Sequence, residues 1–353
     1  MDCIQELRLD EMHDPHFNEE KITALPQGRV LEKHRGEYRI FHDGREIICG
    51  IRSRLRKNLV YPLSRERRQS VDEIRSIEQV DPISVGDRVR FSITDEDPNM
   101  GVIEHVDQRT NQLSRRDPGI KPREQVICAN IDTLILVFSI KNPSPKIGLI
   151  DRFFVAAEWE DIPAILVINK TDLDQKSKGI SEIEEIYANT GYRILPTSAD
   201  TGEGIEELRK LLKDKTSVLV GPSGTGKSSI LNKIQPGLGL KVAKVSEYSG
   251  KGKHTTTHLK AFPLDIGGFV MDTPGIKMLA LWHLEPEELA TLYPEMEQLV
   301  GKCKFGLSCR HETEPNCAIK EALENGEIHQ ERYESFLRLR EDLEKLYTPD
   351  YLK

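Results

Sequence analysis

The chain has 353 residues, of which 31% are charged and 37% hydrophobic, and a net charge of −8 at neutral pH. That length allows two or three domains, each with its own core, and the longest apolar run, Leu134–Ile140, is far too short to cross a bilayer. The first residues are acidic and lack the basic-then-apolar pattern of a secretory leader, so a cytoplasmic protein without a membrane partner is expected.

Residues 1–24 are polar and read as a flexible segment. Over 25–116, apolar and polar residues alternate around glycine corners (GRVLEKHRGEYRIF, VGDRVRFSI, MGVIEHV), the pattern of a small β-barrel of OB or SH3 type. This stretch holds 18 Lys/Arg against 15 Asp/Glu, and Arg52–Arg68 holds seven basic residues against one acidic, Glu66. A phosphate-binding surface and a merely solvated loop both fit that charge. Residues 62–82 lack an apolar period and read as a long loop, and 115–124 (RRDPGIKPRE) as a linker. From Ile131 onward, near-continuous apolar strands such as TLILVFS and AILVIN alternate with helices expected at 147–159, 181–190 and 203–213. These predict an α/β domain of about six strands, with a largely parallel sheet covered on both faces. After Pro286 the chain reads as helical, interrupted by a Cys/His loop at 303–317 and ending in a charged helix near 320–346. The expected organisation is a flexible segment 1–24, a barrel 25–116, a nucleotide-binding α/β domain 117–283 and a mainly helical metal-binding domain 284–353.

Gly221-Pro222-Ser223-Gly224-Thr225-Gly226-Lys227-Ser228 matches the phosphate-binding pattern G-x-x-x-x-G-K-[ST] between the strand TSVLV and a helix that includes Ser229. Glycines there let backbone N–H groups converge on phosphates at a helix N-terminus. Lys227 is placed to reach the β- and γ-phosphates, and Ser228 to bind Mg²⁺. Asp272-Thr273-Pro274-Gly275 follows the strand GGFVMD, 45 residues after Lys227. Asp272 is the expected Mg²⁺ carboxylate, direct or through water, and the N–H of Gly275 the γ-phosphate sensor. Between them KGKHTTTH (251–258) is a candidate switch loop. Thr256 is its nominated Mg²⁺ hydroxyl, with Thr255 and Thr257 open alternatives. Asn169-Lys170-Thr171-Asp172 follows the strand AILVI. Asp172 can accept the N1–H and 2-amino donors of guanine, a pair that adenine does not present. Asn169 is expected to hold the base edge or the loop, the Lys170 stem to pack on the ring, and backbone N–H groups of Ser198 and Ala199 to face guanine O6.

Six cysteines are present. Cys3, Cys49 and Cys128 are scattered, but Cys303-x5-Cys309-x-His311-x5-Cys317 supplies three thiolates and an imidazole within fifteen residues. That is a closed tetrahedral set, so one structural Zn²⁺ is expected, and its removal is expected to unravel the C-terminal domain first.

Small GTPases place the phosphate loop first and the guanine motif later. Here the order is NKTD, TSAD, phosphate loop, HTTT, DTPG. That permuted order, with a barrel before it and a Cys/His knuckle after it, resembles the ribosome small subunit-dependent GTPase A family (RsgA, also called YjeQ or EngC) from about residue 25 to 340. The resemblance implies a GTP hydrolase that uses Mg²⁺, acts in late maturation of the small ribosomal subunit, contacts ribosomal RNA through an OB-fold, and is stimulated by the ribosome. Tyr38, Phe41, Tyr61 and Phe91 are then candidate stacking surfaces or barrel core. Ile276 follows DTPG, so the water-orienting glutamine of Ras-like enzymes is missing. The resemblance implies that a switch-loop histidine takes its part. His254 is the matching position and, with Lys227, the expected catalytic residue. A monomer is expected. A nucleic-acid or protein-binding module with nucleotide as a mere stabilising ligand, and a GTPase with a non-ribosomal partner, are the competing readings.

Overall fold

The computed structural model describes residues 22–34, 36–52, 55, 83–116, 124–174, 177–240, 259–272, 281 and 284–347. His254, Thr256, Gly275, Tyr61 and most of Arg52–Arg68 lie outside them. The chain divides into two compact units, one of residues 1–77 with 81–109 and one of 78–80 with 110–353.

The first unit is a five-stranded barrel. Strands β1 (Gln27–His34), β2 (Glu37–His42) and β3 (Arg45–Ile51) form an antiparallel meander, and β4 (Arg88–Ile93) pairs antiparallel with β5 (Met100–Val106). β3 runs parallel to β5 and β4 pairs back onto β1, which closes the sheet and leaves few unpaired strand edges. The alternation seen in the sequence drives this. Val30, Ile40, Ile47, Cys49, Val89, Phe91 and Ile103 point inward at zero exposure. Tyr38 and Phe91 are therefore core residues, whereas Phe41 is half-buried. The fully buried Asp87 is compensated at three points. It accepts Arg109 Nε at 2.8 Å, Arg109 Nη2 at 2.9 Å and the backbone N–H of Ser84 at 2.7 Å.

The second unit holds the α/β layers. A hairpin of β6 (Gln112–Arg116) and β7 (Glu124–Ala129) precedes the main sheet. Its strands are β8 (Thr133–Ser139), β9 (Ala164–Asn169), β10 (Arg193–Pro196), β11 (Thr216–Val220), β12 (Lys260–Pro263) and β13 (Phe269–Asp272). They lie in the order β10-β9-β8-β11-β13-β12, all parallel except β12. Every residue of β8 and β11 is buried, as expected for strands covered on both faces. Helices α1 (Ile147–Trp159), α2 (Lys178–Ile186), α3 (Ile205–Leu212) and α4 (Lys227–Ile234) follow β8, β9, β10 and β11 in turn. Ile135, Val137, Val167 and Leu219 pack on Leu208, Leu212, Ile230 and Leu231 from α3 and α4. On the α1 side, Phe138 meets Phe153 edge-on at 6.3 Å between ring centres.

The remainder of this unit comprises α5 (Pro294–Glu297), the Cys/His loop, α6 (Ala318–Glu324) and the long helix α7 (Gln330–Tyr347). The second helix expected from the sequence, 181–190, lies at 178–186, because Asp174 Oδ2 accepts the N–H groups of Gly179 and Ile180 and starts the helix early.

Replacing Asp87 by alanine removes a buried carboxylate together with its two hydrogen bonds from Arg109 and one from Ser84. A loss of about 3 kcal/mol in barrel stability is expected, read as an earlier barrel transition in urea unfolding followed by circular dichroism. An unmoved transition would contradict this account of the barrel.

Candidate nucleotide site and metal centre

The phosphate loop leaves β11 through three glycines with positive φ, Gly221 (139°), Gly224 (83°) and Gly226 (97°). Two of them are fixed by close approach. A Cβ on Gly221 would stand 2.1 Å from the carbonyl oxygen of Val137, and one on Gly226 would stand 2.2 Å from Asn169 Nδ2. Helix α4 begins at Lys227, so the loop's N–H groups gather at a helix start, where anions are favoured. Lys227 is buried, and its Nζ donates to the carbonyls of Gly221 at 2.8 Å and Pro222 at 2.9 Å. Burial lowers its pKa, an effect opposed by the nearby Asp272 carboxylate. Asp272 is raised by burial and held back by Lys227 and by the hydroxyl of Ser228.

Ser228 Oγ lies 3.4 Å from Asp272 Oδ2, while the buried Oδ1 has no hydrogen-bond partner among the described residues. A hydroxyl beside a carboxylate with a buried oxygen left over is a donor set that fits Mg²⁺, a hard cation that takes oxygen ligands.

The guanine motif sits at the end of β9, beside this loop. Asn169 is 1% exposed and its amide joins three segments. Nδ2 donates to the carbonyl of Thr225 at 2.8 Å, and Oδ1 accepts the N–H of Ala199 at 3.0 Å and the hydroxyl of Thr197 at 3.4 Å. Of the two roles expected for Asn169, these contacts are of the loop-holding kind. Lys170 is left-handed, with φ 65°, and its Nζ donates to the carbonyls of Gly224, at 2.6 Å, and Asn142. Burial lowers its pKa, with Asp172 opposing. Ser198 Oγ donates to Asp172 Oδ1 at 2.6 Å and so orients the carboxylate expected to read guanine.

The N–H groups proposed for guanine O6 have internal partners here. Ala199 donates to Asn169, and Ser198 donates to the carbonyl of Glu203 at 3.0 Å. Glu203 also accepts the hydroxyl of Thr171 at 2.9 Å, which ties the guanine loop to the turn after β10. Nothing in the sequence singles out Glu203 or Asn142. Ser223, Thr225 and Ser229 take their places in the loop and first helical turn, and Thr225 Oγ1 donates to the carbonyl of Pro222 at 3.0 Å.

The four ligands of the knuckle are all buried, and their donor atoms lie within 4.8 Å of one another. Cys303 Sγ is 3.7 Å from Cys317 Sγ and 3.5 Å from His311 Nδ1, and His311 Nδ1 is 3.4 Å from Cys317 Sγ. A tetrahedron of ~2.3 Å zinc–sulfur bonds has edges of about 3.8 Å, so the set is compatible with zinc. Burial pushes the thiol of Cys309 up to about 12, raises Cys317 and lowers His311. Thiols pushed by burial toward their neutral form, as at Cys309 and Cys317, suit a site in which a cation stabilises the thiolates. Cys303 Sγ accepts the N–H of Ala318 at 3.3 Å, and the carbonyl of His311 accepts Tyr333 OH at 2.7 Å.

A model of the RsgA GTPase family matches residues 106–282. The small ribosomal subunit biogenesis GTPase RsgA of Actinobacillus pleuropneumoniae serotype 5b is 42% identical over 331 residues, 92% of this chain and 87% of that protein. Two solved structures share the architecture. YjeQ from Thermotoga maritima aligns with a TM-score of 0.69 at 36% identity, over 92% of this chain and 99% of that one. YloQ, described as a circularly permuted GTPase, aligns with a TM-score of 0.65 at 27% identity, over 94% and 99%.

Gly226→Ala places a methyl group against Asn169 Nδ2 at a left-handed backbone position. GDP affinity, measured by calorimetric titration, is expected to fall about tenfold or more, the loss of one buried hydrogen bond with added strain. Unchanged affinity would show that the glycine is dispensable.

Proposed function

The chain belongs to the RsgA GTPase family, and on that premise we propose that it hydrolyses GTP to GDP and phosphate while assisting late maturation of the small ribosomal subunit. The observation that carries this reading is the Asn169–Thr225 hydrogen bond. It joins a guanine-reading motif to a phosphate loop 56 residues away, in the permuted order.

In the proposed mechanism Asp172, oriented by Ser198, accepts the guanine donors, and the stem of Lys170 flanks the ring. The N–H groups from Gly224 to Ser229 cradle the phosphates. Lys227 exchanges the carbonyls of Gly221 and Pro222 for phosphate oxygens, replacing neutral hydrogen bonds by charge-assisted ones. Ser228 and Asp272 would hold Mg²⁺, with a switch-loop threonine, Thr256 nominated, completing its shell. When bound, the ion neutralises charge developing on the phosphate oxygens. Gly275 senses the γ-phosphate. His254 orients the attacking water when the partner is bound, the part for which Ile276 is chemically unsuited.

The partner is the small ribosomal subunit and its ribosomal RNA, with the barrel of β1 to β5 in the first unit as the RNA-binding element. The name of the Actinobacillus relative and the closed five-stranded barrel support that assignment. One Zn²⁺ on Cys303, Cys309, His311 and Cys317 serves structure. Among the described residues no helix is long and apolar enough to cross a membrane. The protein acts in the cytoplasm, as a monomer.

Co-sedimentation with purified small subunits in a GTP analogue and in GDP, with phosphate release assayed in parallel, tests the proposal. The analogue form should co-sediment more strongly, and subunits should raise turnover at least tenfold. His254→Ala should bind GTP normally and lose that stimulation, by on the order of 100-fold as a water-orienting group. No subunit binding in either state would refute the ribosomal role, and undiminished stimulation in the variant would refute the role of His254.

A further inference from the structure

The C-terminal segment is joined to the nucleotide-binding layers by charge buried deep in the protein. Arg332 of α7 is 1% exposed at its side chain and meets two carboxylates, Asp151 of α1 at 0% and Glu295 of α5 at 3%. Its Nη1 donates to Asp151 Oδ1 at 2.5 Å. Nε and Nη2 form a two-pronged contact with Glu295 at 2.7 and 3.0 Å. The guanidinium carbon lies 4.5 Å from the ring centre of Tyr293 and 5.2 Å from that of Tyr187, and Tyr187 OH donates to the same Asp151 oxygen at 2.7 Å. One cation with two carboxylates and two aromatic rings thus fixes α1, α5 and α7 together. Arg152 of α1 and Asp342 of α7 add a second, more exposed ion pair along the same helix contact.

The next residue of α7 turns to the metal centre. Tyr333 OH donates to the backbone carbonyl of His311, and Arg340 Nη1 donates to that of Arg310 at 2.6 Å. Phe336 packs against the His311 ring at 6.2 Å and against Tyr293 at 5.5 Å between ring centres. The Cys/His loop therefore sits on the helix whose Arg332 neutralises the buried Asp151. Helix α1 directly follows β8, a central strand of the nucleotide-binding sheet, and covers its Phe138.

We propose that metal occupancy of the Cys/His knuckle is coupled, through Tyr333 and Arg332 of α7, to the packing of α1 on the nucleotide-binding sheet. The coupling follows from desolvation. If α7 loosens when its metal-ordered loop is lost, Asp151 and Glu295 remain buried without their cation, a state far costlier than either the intact network or an apolar core. The knuckle is then a buttress of the GTPase layers, where the sequence alone pointed to a C-terminal domain that unravels before the GTPase core. This inference does not depend on the proposed ribosomal role, since nucleotide and ribosomes take no part in its test.

The full chain is loaded with stoichiometric zinc in magnesium-free buffer. Amide exchange is followed by mass spectrometry before and after removal of the metal with phenanthroline. Residues 147–159 should lose protection together with 330–345, on the order of tenfold or more, the penalty of a broken buried pair. Arg332→Met, with zinc still bound, should reproduce the loss in 147–159 while the knuckle at 303–317 stays protected. If chelation opens 303–345 and leaves 147–159 as protected as before, the coupling is refuted. A folded Arg332→Met protein with unchanged protection of 147–159 also refutes it, and if that variant does not fold, the chelation experiment alone decides.

Discussion

The nucleotide site depends on one neutral side chain. Asn169 ends β9, separated from β11 in the sheet by β8, and its amide spans the gap to the phosphate loop. An amide suits this post because it offers donors and acceptors at once and buries no charge. Its donor holds the carbonyl of Thr225, and its acceptor takes the N–H of Ala199 and the hydroxyl of Thr197, so three loops from three strand ends share one hub. Gly226 leaves the room it needs. Motif order along the chain is irrelevant to such a hub, since the sheet places the strand ends whichever comes first. This is why permutation leaves the site intact and changes only which elements are appended to its ends.

Around that neutral hub the charged groups wait in strained electrostatic circumstances. Lys227 and Asp272 are both shifted by burial away from their charged forms, each partly restored by the other. Lys227 meanwhile rests on the loop's own carbonyls. In the proposed complex a phosphate chain with its metal would supply what each lacks, an anion for the lysine and a cation for the carboxylate. Lys170 shows the same arrangement on a smaller scale, held by the carbonyls of Gly224 and Asn142 beside Asp172.

Much of this was legible in the sequence because its chemistry is local. The phosphate loop, the guanine motif and the Cys/His knuckle each fit within a few residues to fifteen, and each sits where strand periodicity predicts a strand end. The barrel was readable from alternation, and the same alternation is what puts Tyr38 and Phe91 inside it. What could not be read is what folding assembles from afar. Arg332 and Asp151 are 181 residues apart, and Arg332 and Glu295 are 37 apart. Each, taken alone, is an ordinary charge on an amphipathic segment. Asn142 and Glu203 carry no motif either, yet one accepts Lys170 and the other braces Thr171. The internal partners of the Ser198 and Ala199 amides were equally out of reach, since one is a backbone carbonyl across a turn, that of Glu203, and the other the Asn169 side chain at a different strand end.

Asn169 ties the phosphate loop to the guanine motif and the turn after β10. Calorimetric titration of Asn169→Ala with GDP and, separately, with magnesium pyrophosphate tests it directly, because pyrophosphate has no base to read. If the hub account holds, both affinities fall, each by about fivefold to a hundredfold, the worth of one buried hydrogen bond and its stranded partner. Weakened GDP binding with unchanged pyrophosphate affinity would contradict it, reducing Asn169 to a contact for the base alone.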